Sequence, residues 1–356
     1  MEEAVLLDVL KVFGLSAFSF FVAFFATPLL THYLYAYKMW RPQIARKATT
    51  GEQASVISGI LKERTRVDTP RMGGILVWGT VVFIALCLWV LSEIYGGPLF
   101  SKLSFLSRNQ TWLPLTALLA GSLTGFLDDW MAVRGRDTYV GGGLDLKARI
   151  GAVLVIGAVG AWWFYGPLEM RGIHIPFWGD LTLGILFIPF FMLTMLAVFA
   201  GGVIDGLDGL AGGVFASIIA AYGGIAFFQQ QLDLATFLAV TIGALLAFLW
   251  YNIPPARFYL GETGMLGLTS MLTVVAFLTG AVAVLPIIAL PLVVEAGSDI
   301  IQIASKRFRG KKVFLAAPIH HHFEALGWPH YKVTMRFWIV SVVCAIMGMV
   351  IHLIGK

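Results

Sequence analysis

The chain alternates between long apolar runs and short polar interruptions, and the runs are about the length a hydrocarbon core of about 30 Å demands of spanning helices. Ten such runs are predicted to be membrane helices, at roughly 9–36, 73–95, 113–129, 149–166, 181–201, 211–229, 235–251, 265–280, 283–305 and 334–354. The short joints at 230–234 and 281–282 predict antiparallel hairpins, and Pro286 and Pro291 predict a broken ninth helix. The expected class is an all-α polytopic membrane protein, with residues 1–356 forming a single integral membrane domain. The first run follows only Met1-Glu2-Glu3, without a basic stretch or a small-residue cleavage site, and is expected to be a retained span.

Composition agrees with this pattern and narrows it. The 356 residues are 58% hydrophobic and 13% charged, and the mean hydropathy is +0.84. Cys87 and Cys344 lie within apolar runs, so neither a disulfide framework nor a zinc site is expected. The net charge of +5 reflects loop topology and not a nucleic-acid partner. Threading ten spans puts 20 of the 25 Lys and Arg on one side, which is therefore expected to be cytoplasmic, with both termini outside. Every polar cluster of the chain falls on that same side.

Five of these clusters could carry chemistry. Gly201–Gly213 (GGVIDGLDGLAGG) sets Asp205 and Asp208 among glycines that let backbone approach a ligand, and a charge beside a membrane-length run usually marks function. Asp128-Asp129 ends the third predicted span; the two point about 100° apart on a helix, and an ordinary helix end at the headgroup layer is the bland alternative. Asn252–Gly267 (NIPPARFYLGETGMLG) holds Glu262 in a glycine turn before the eighth span, where a helix dipole favours a carboxylate and where Mg²⁺ could be held; a plain capping turn explains it equally well. Ala317–Glu324 (APIHHHFE) carries His320, His321 and His322, whose spacing does not suit zinc on a helix but offers donors to phosphate oxygens. The first loop holds Arg64, Arg66 and Arg71 before Gly73-Gly74, and the next holds Arg134, Arg136, Lys147 and Arg149; phosphate binding and simple topology account for each arginine equally well. Glu295 and Asp299, at i and i+4 in the ninth span, are expected to be buried or interface acids.

Carboxylates, arginines, histidines and glycine loops on one membrane face suit a polyanionic substrate with Mg²⁺ and a lipid as second reactant. A transporter would be expected to place its ionisable residues near the midplane between repeats, and no repeat is evident.

TPRMGGI at 69–75, FLDD at 126–129, DGLDGLAGG at 205–213, FLWYNIPPA at 248–256 and APIHHHFE at 317–324 resemble, in order and spacing, the phospho-N-acetylmuramoyl-pentapeptide-transferases, a branch of the polyprenyl-phosphate N-acetylhexosamine-1-phosphate transferases. The resemblance covers nearly the whole chain, and the triple histidine favours the muramoyl branch over the N-acetylglucosamine-1-phosphate branch. It implies transfer of phospho-N-acetylmuramoyl-pentapeptide from UDP-N-acetylmuramoyl-pentapeptide (UDP-MurNAc-pentapeptide) to undecaprenyl phosphate, giving lipid I and UMP with Mg²⁺, in a homodimer in the bacterial inner membrane. By matching position, Asp128 would be the base or organiser of the lipid phosphate, with Asp129 beside it. Asp205 and Asp208 would lie at the nucleotide and metal centre, Asn252 and Tyr259 near the uracil, and Arg66 among the substrate-binding groups. Glu262 would take the place of a metal-binding aspartate, and His320 to His322 would contact pyrophosphate or sugar. The chain departs from the pattern at Glu262, at Gly202 and Ile204 where the family's asparagine and threonine stand, at Arg66, Arg136 and Arg149 where lysines are common, and at Ala132.

Overall fold

A computed structural model describes residues 2–40, 69–95, 97–134 and 143–356. Arg64, Arg66 and Arg136 lie outside the described residues. Helices dominate, in the order α1 (Glu2–Ala36), α2 (Gly74–Tyr95), α3 (Pro98–Leu103), α4 (Trp112–Arg134), α5 (Leu146–Tyr165), α6 (Phe187–Ala200), α7 (Leu210–Phe228), α8 (Leu232–Asn252), α9 (Gly261–Leu278), α10 (Leu285–Ile288), α11 (Leu290–Arg309), α12 (Ile319–Ala325) and α13 (His330–Ile354). The fold is that of an all-α polytopic membrane protein.

Among the described residues, eight helices are long and apolar enough to cross a membrane, and nine if a bent pair counts as one span. That pair is the ninth predicted span: Val282–Ile288 and Leu290–Arg309 meet at 78°, with Pro291 opening α11. The third predicted span is α4, which is 23 residues long and carries Asp128, Asp129 and Arg134 in its last two turns; it is not among the eight.

Helices α7, α8 and α9 form the buried centre, while α1 and α13 keep most of their surface toward lipid. In a bilayer such exposure costs nothing, and large apolar side chains such as Phe25 (73% exposed) and Ile339 (64%) face outward. Helix α9 packs most extensively against α4, and α1 against α8. The α4–α9 contact is close because Gly125 has no side chain: a methyl group there would run into the carbonyl of Glu262. Gly125→Ala is therefore expected to cost about 1–3 kcal/mol of stability by overpacking. A thermal melt in detergent checks this, with Gly79→Ala, where nothing lies within 4 Å of the new methyl, as the control that stays near wild type.

Three local features differ from the sequence expectation. Residues 166–183 are not a plain loop: Gly172–Ile175 (β1) and Gly179–Thr182 (β2) form an antiparallel hairpin with Ile173 opposite Leu181. Helix α9 begins at Gly261, four residues earlier than predicted, so Glu262 sits in its first turn and not in a loop before it. Helix α4 continues to Arg134, so Asp128 and Asp129 lie inside the helix and are fully buried. The reading of these acids as a helix end reaching the headgroups does not hold.

The two ends of the bundle differ in chemistry. At one end, Lys11 pairs with Asp233 (2.7 Å) and the backbone carbonyl of Gly355 accepts from the Phe177 N–H (2.9 Å), so the first half of α1 and the end of α13 lie at the same end as the hairpin. The other end collects the polar clusters.

Candidate active site

The site is built around the N-terminus of α9, where backbone N–H groups lack partners within the helix and the dipole favours negative charge. The Gly261 N–H donates to Asp205 Oδ2 (3.2 Å) and the Thr263 N–H to Asp129 Oδ2 (3.0 Å), while Glu262 adds a third carboxylate from the first turn itself. One helix end thus gathers acids from α4, from α9 and from the loop that follows α6.

Two arginines hold this acidic group. Arg71 Nε lies 3.0 Å from Asp129 Oδ1. Arg149, in the first turn of α5, bridges two acids: its Nε is 2.9 Å from Asp128 Oδ1 and its Nη1 is 2.8 Å from Glu262 Oε1. The planar guanidinium fork suits such bridging in a way that a lysine would not. Asp128 Oδ1 also accepts from the Leu144 N–H (2.7 Å). Adjacent in sequence, Asp128 and Asp129 therefore engage different partners, as their separation around the helix requires.

Arg71 is delivered by a tight backbone register. The Tyr259 N–H donates to the Pro70 carbonyl (2.9 Å), and the Gly73 and Gly74 N–H groups donate to the carbonyls of Tyr259 and Leu260 (both 2.8 Å). The sequence offered no way to separate Arg71 and Arg149 from arginines that merely set topology; their partners lie far along the chain.

The loop after α6 is pinned on two sides. Asp208 Oδ2 accepts from the Ala256 N–H (3.1 Å), and Asn252 joins the same two segments, accepting from the Gly209 N–H (2.9 Å) and donating to the Phe258 carbonyl (2.8 Å). From α13, Thr334 Oγ1 and Trp338 Nε1 donate to the carbonyls of Asp208 and Gly209 (3.1 and 3.0 Å). Asp205 and Asp208 are thus not on one helical face: Asp205 turns to α9, and Asp208 to residues 254–258. Tyr259 is half-buried beside them.

The three histidines diverge, because α12 is helical. His320 is fully buried with Nδ1 2.8 Å from Glu295 Oε2, and its Nε2 side lies against Gly206, where a methyl group would collide with the ring. His321 Nδ1 lies 2.7 Å from Glu324 Oε2, and His322 Nδ1 accepts from the Leu315 N–H (3.2 Å). Of the three, His320 is the one packed on the Asp205–Asp208 loop.

Asp205 lies just past the end of the α6 segment. Burial pushes its carboxyl up to about 7, assisted by the charges of Glu262 and Asp129 and opposed by Arg71 and the Gly261 N–H. A folded pKa above the unfolded value means the folded protein keeps a proton that the unfolded chain releases, so this group's stabilising contribution falls as pH rises from about 4 to about 7. Melts in EDTA at pH 5 and pH 7.5 should show a smaller loss on going to the higher pH for Asp205→Asn than for wild type.

Among the described residues, four carboxyl groups (Asp128, Asp129, Asp205, Glu262) meet two guanidinium groups here, an excess of acid that the raised Asp205 carboxyl relieves in part by holding a proton below about pH 7. Buried Asp128 Oδ2 has no hydrogen-bond partner among the described residues. Hard oxygen donors with excess negative charge fit a divalent cation such as Mg²⁺. Among the described residues no three acids or histidines are already arranged around one point, since Arg149 holds Asp128 and Glu262.

A family profile described as Glycosyl transferase family 4 matches residues 111–280, which span α4 to the end of α9 and hold Asp128, Asp129, Asp205 and Glu262. Curated phospho-N-acetylmuramoyl-pentapeptide-transferases of Chloroflexus aggregans and Chloroflexus aurantiacus are each 32% identical over 88% of this chain and 85% of their own length. A multi-pass membrane phosphosugar transferase, the chain belongs to the phospho-N-acetylmuramoyl-pentapeptide-transferase family.

Proposed function

We propose that the protein transfers phospho-N-acetylmuramoyl-pentapeptide from UDP-MurNAc-pentapeptide to undecaprenyl phosphate, releasing UMP and forming lipid I. The observation that carries this reading is the buried acid and arginine cluster on the α9 N-terminus, at the basic end of a membrane bundle. In the reaction an oxygen of the lipid phosphate bonds to the phosphorus attached to the sugar, and the bond from that phosphorus to the UMP phosphate breaks. The lipid stays in the bilayer, so the site must lie at a membrane face; the distribution of Lys and Arg supports the cytoplasmic one.

Asp128 offers Oδ2, which has no partner among the described residues, to the lipid phosphate, as base or organiser, while Arg149 fixes its other oxygen. Arg71 and Arg149 are the groups able to meet phosphate charge once substrate enters. Asn252 and Asp208 hold the nucleotide-side loops in register, with Tyr259 beside them for the uracil and His321 and His322 on the sugar side. Glu262 and Asp205 would hold Mg²⁺, with Arg149 giving up Glu262 when the ion enters. Bound there, Mg²⁺ would neutralise pyrophosphate charge.

The sibling reading is transfer of N-acetylglucosamine-1-phosphate. Competition in one assay separates the two: labelled UDP-MurNAc-pentapeptide should be consumed unchanged in rate when equal UDP-N-acetylglucosamine is added. Preferential consumption of UDP-N-acetylglucosamine would overturn the muramoyl assignment.

A further inference from the structure

Among the described residues, Glu295 is the one fully buried carboxylate away from the α9 cluster, and it pairs with His320 of the site. It lies on α11, less than two turns past the 78° bend, and both it and His320 are fully buried. Its Oε2 meets His320 Nδ1 at 2.8 Å, whereas Oε1 has no hydrogen-bond partner among the described residues. A buried carboxylate on a membrane helix is costly, and an apolar residue would usually fill the space at lower cost. Packing alone does not account for it.

Chemistry supplies a reason. An ionised Glu295 only accepts, which requires the hydrogen between the two groups to sit on His320 Nδ1. That fixes which tautomer the neutral ring adopts and turns Nε2 toward Gly206, the residue after Asp205. The same logic orients ring ligands in metal and triad sites, where the outer carboxylate sets direction and basicity.

We propose that Glu295 is a positioning residue: it locks the His320 ring so that Nε2, a lone pair in the neutral ring and an N–H donor once protonated, is presented at the Asp205–Gly206 turn, toward the phosphates of the nucleotide-sugar. The phosphate part of this rests on the function proposed above; the tautomer part does not.

The test uses the full-length protein in detergent or membranes, with Glu295→Gln, Glu295→Asp, His320→Gln and the Glu295→Gln/His320→Gln double variant. Glu295→Gln should lower kcat about tenfold to a hundredfold with KM for the UDP-sugar changed by less than about threefold. Glu295→Asp, which keeps the charge, should recover part of that loss. The double variant should be no slower than His320→Gln alone, because Glu295 acts through the ring. In ¹⁵N-histidine spectra, the signal removed by His320→Gln should report the Nδ1–H form in wild type and mixed tautomers in Glu295→Gln. Wild-type kcat in Glu295→Gln, or losses that multiply in the double variant, would overturn the proposal. If Glu295→Gln does not fold, an Nε2–H tautomer in the wild-type spectrum overturns it alone. A wild-type protein that releases no UMP yet shows the Nδ1–H tautomer would instead count against the proposed reaction and leave the positioning of the ring standing.

Discussion

Asp128→Asn should lower UMP release by about 10²–10⁴-fold, the range that a positioned acid–base group supplies. The variant keeps the size of the side chain and one oxygen to accept from the Leu144 N–H, so the local backbone has no reason to move. What it loses is the charge facing Arg149 and the second carboxylate oxygen, Oδ2, which has no partner among the described residues. Initial rates at saturating lipid phosphate, with a melting curve on the same sample, separate chemistry from folding. An unchanged rate would remove Asp128 from the reaction.

The second large effect concerns Glu262. Glu262→Gln should abolish activity at any accessible Mg²⁺ concentration, whereas Glu262→Asp should keep measurable activity with a raised Mg²⁺ requirement. The geometry explains the asymmetry. Glu262 stands in the first turn of α9 and reaches Arg149 at 2.8 Å, and aspartate is one methylene shorter, so it retains charge at the helix N-terminus but loses reach to that arginine. The readout is the Mg²⁺ dependence of rate, together with the Mg²⁺-induced rise in melting temperature, which needs no turnover. Equal behaviour of all three proteins would make Glu262 an ordinary turn residue.

Much of this architecture is legible in the chain because a bilayer imposes a length on every crossing. The apolar runs predict the helices, Pro286 and Pro291 predict the break, and counting Lys and Arg puts the polar clusters at one end. Exact helix starts are less legible: Gly261 opens α9 where a glycine turn was expected, because the carboxylates of Asp129 and Asp205 satisfy the first N–H groups in place of a local cap. The hairpin at 172–182 is hidden because its eight residues carry little β pattern, GIHI and GDLT.

Within the site, the acids stand out because charge at the end of an apolar run is rare. Arg71 and Arg149 do not, because an arginine in a basic loop looks the same whether or not a carboxylate awaits it 58 or 113 residues along the chain. The histidine run is legible as a cluster but not as three roles; only the helical turn of α12 sends His320 to Glu295, His321 to Glu324 and His322 to Leu315.

On this reading the cluster transfers a phosphosugar and not a bare sugar. Membranes bearing the protein, supplied with UDP-MurNAc-pentapeptide, undecaprenyl phosphate and Mg²⁺, should release UMP in equal amount to the lipid-linked phosphosugar formed. Release of UDP, or no nucleotide release with every reactant present, would contradict it.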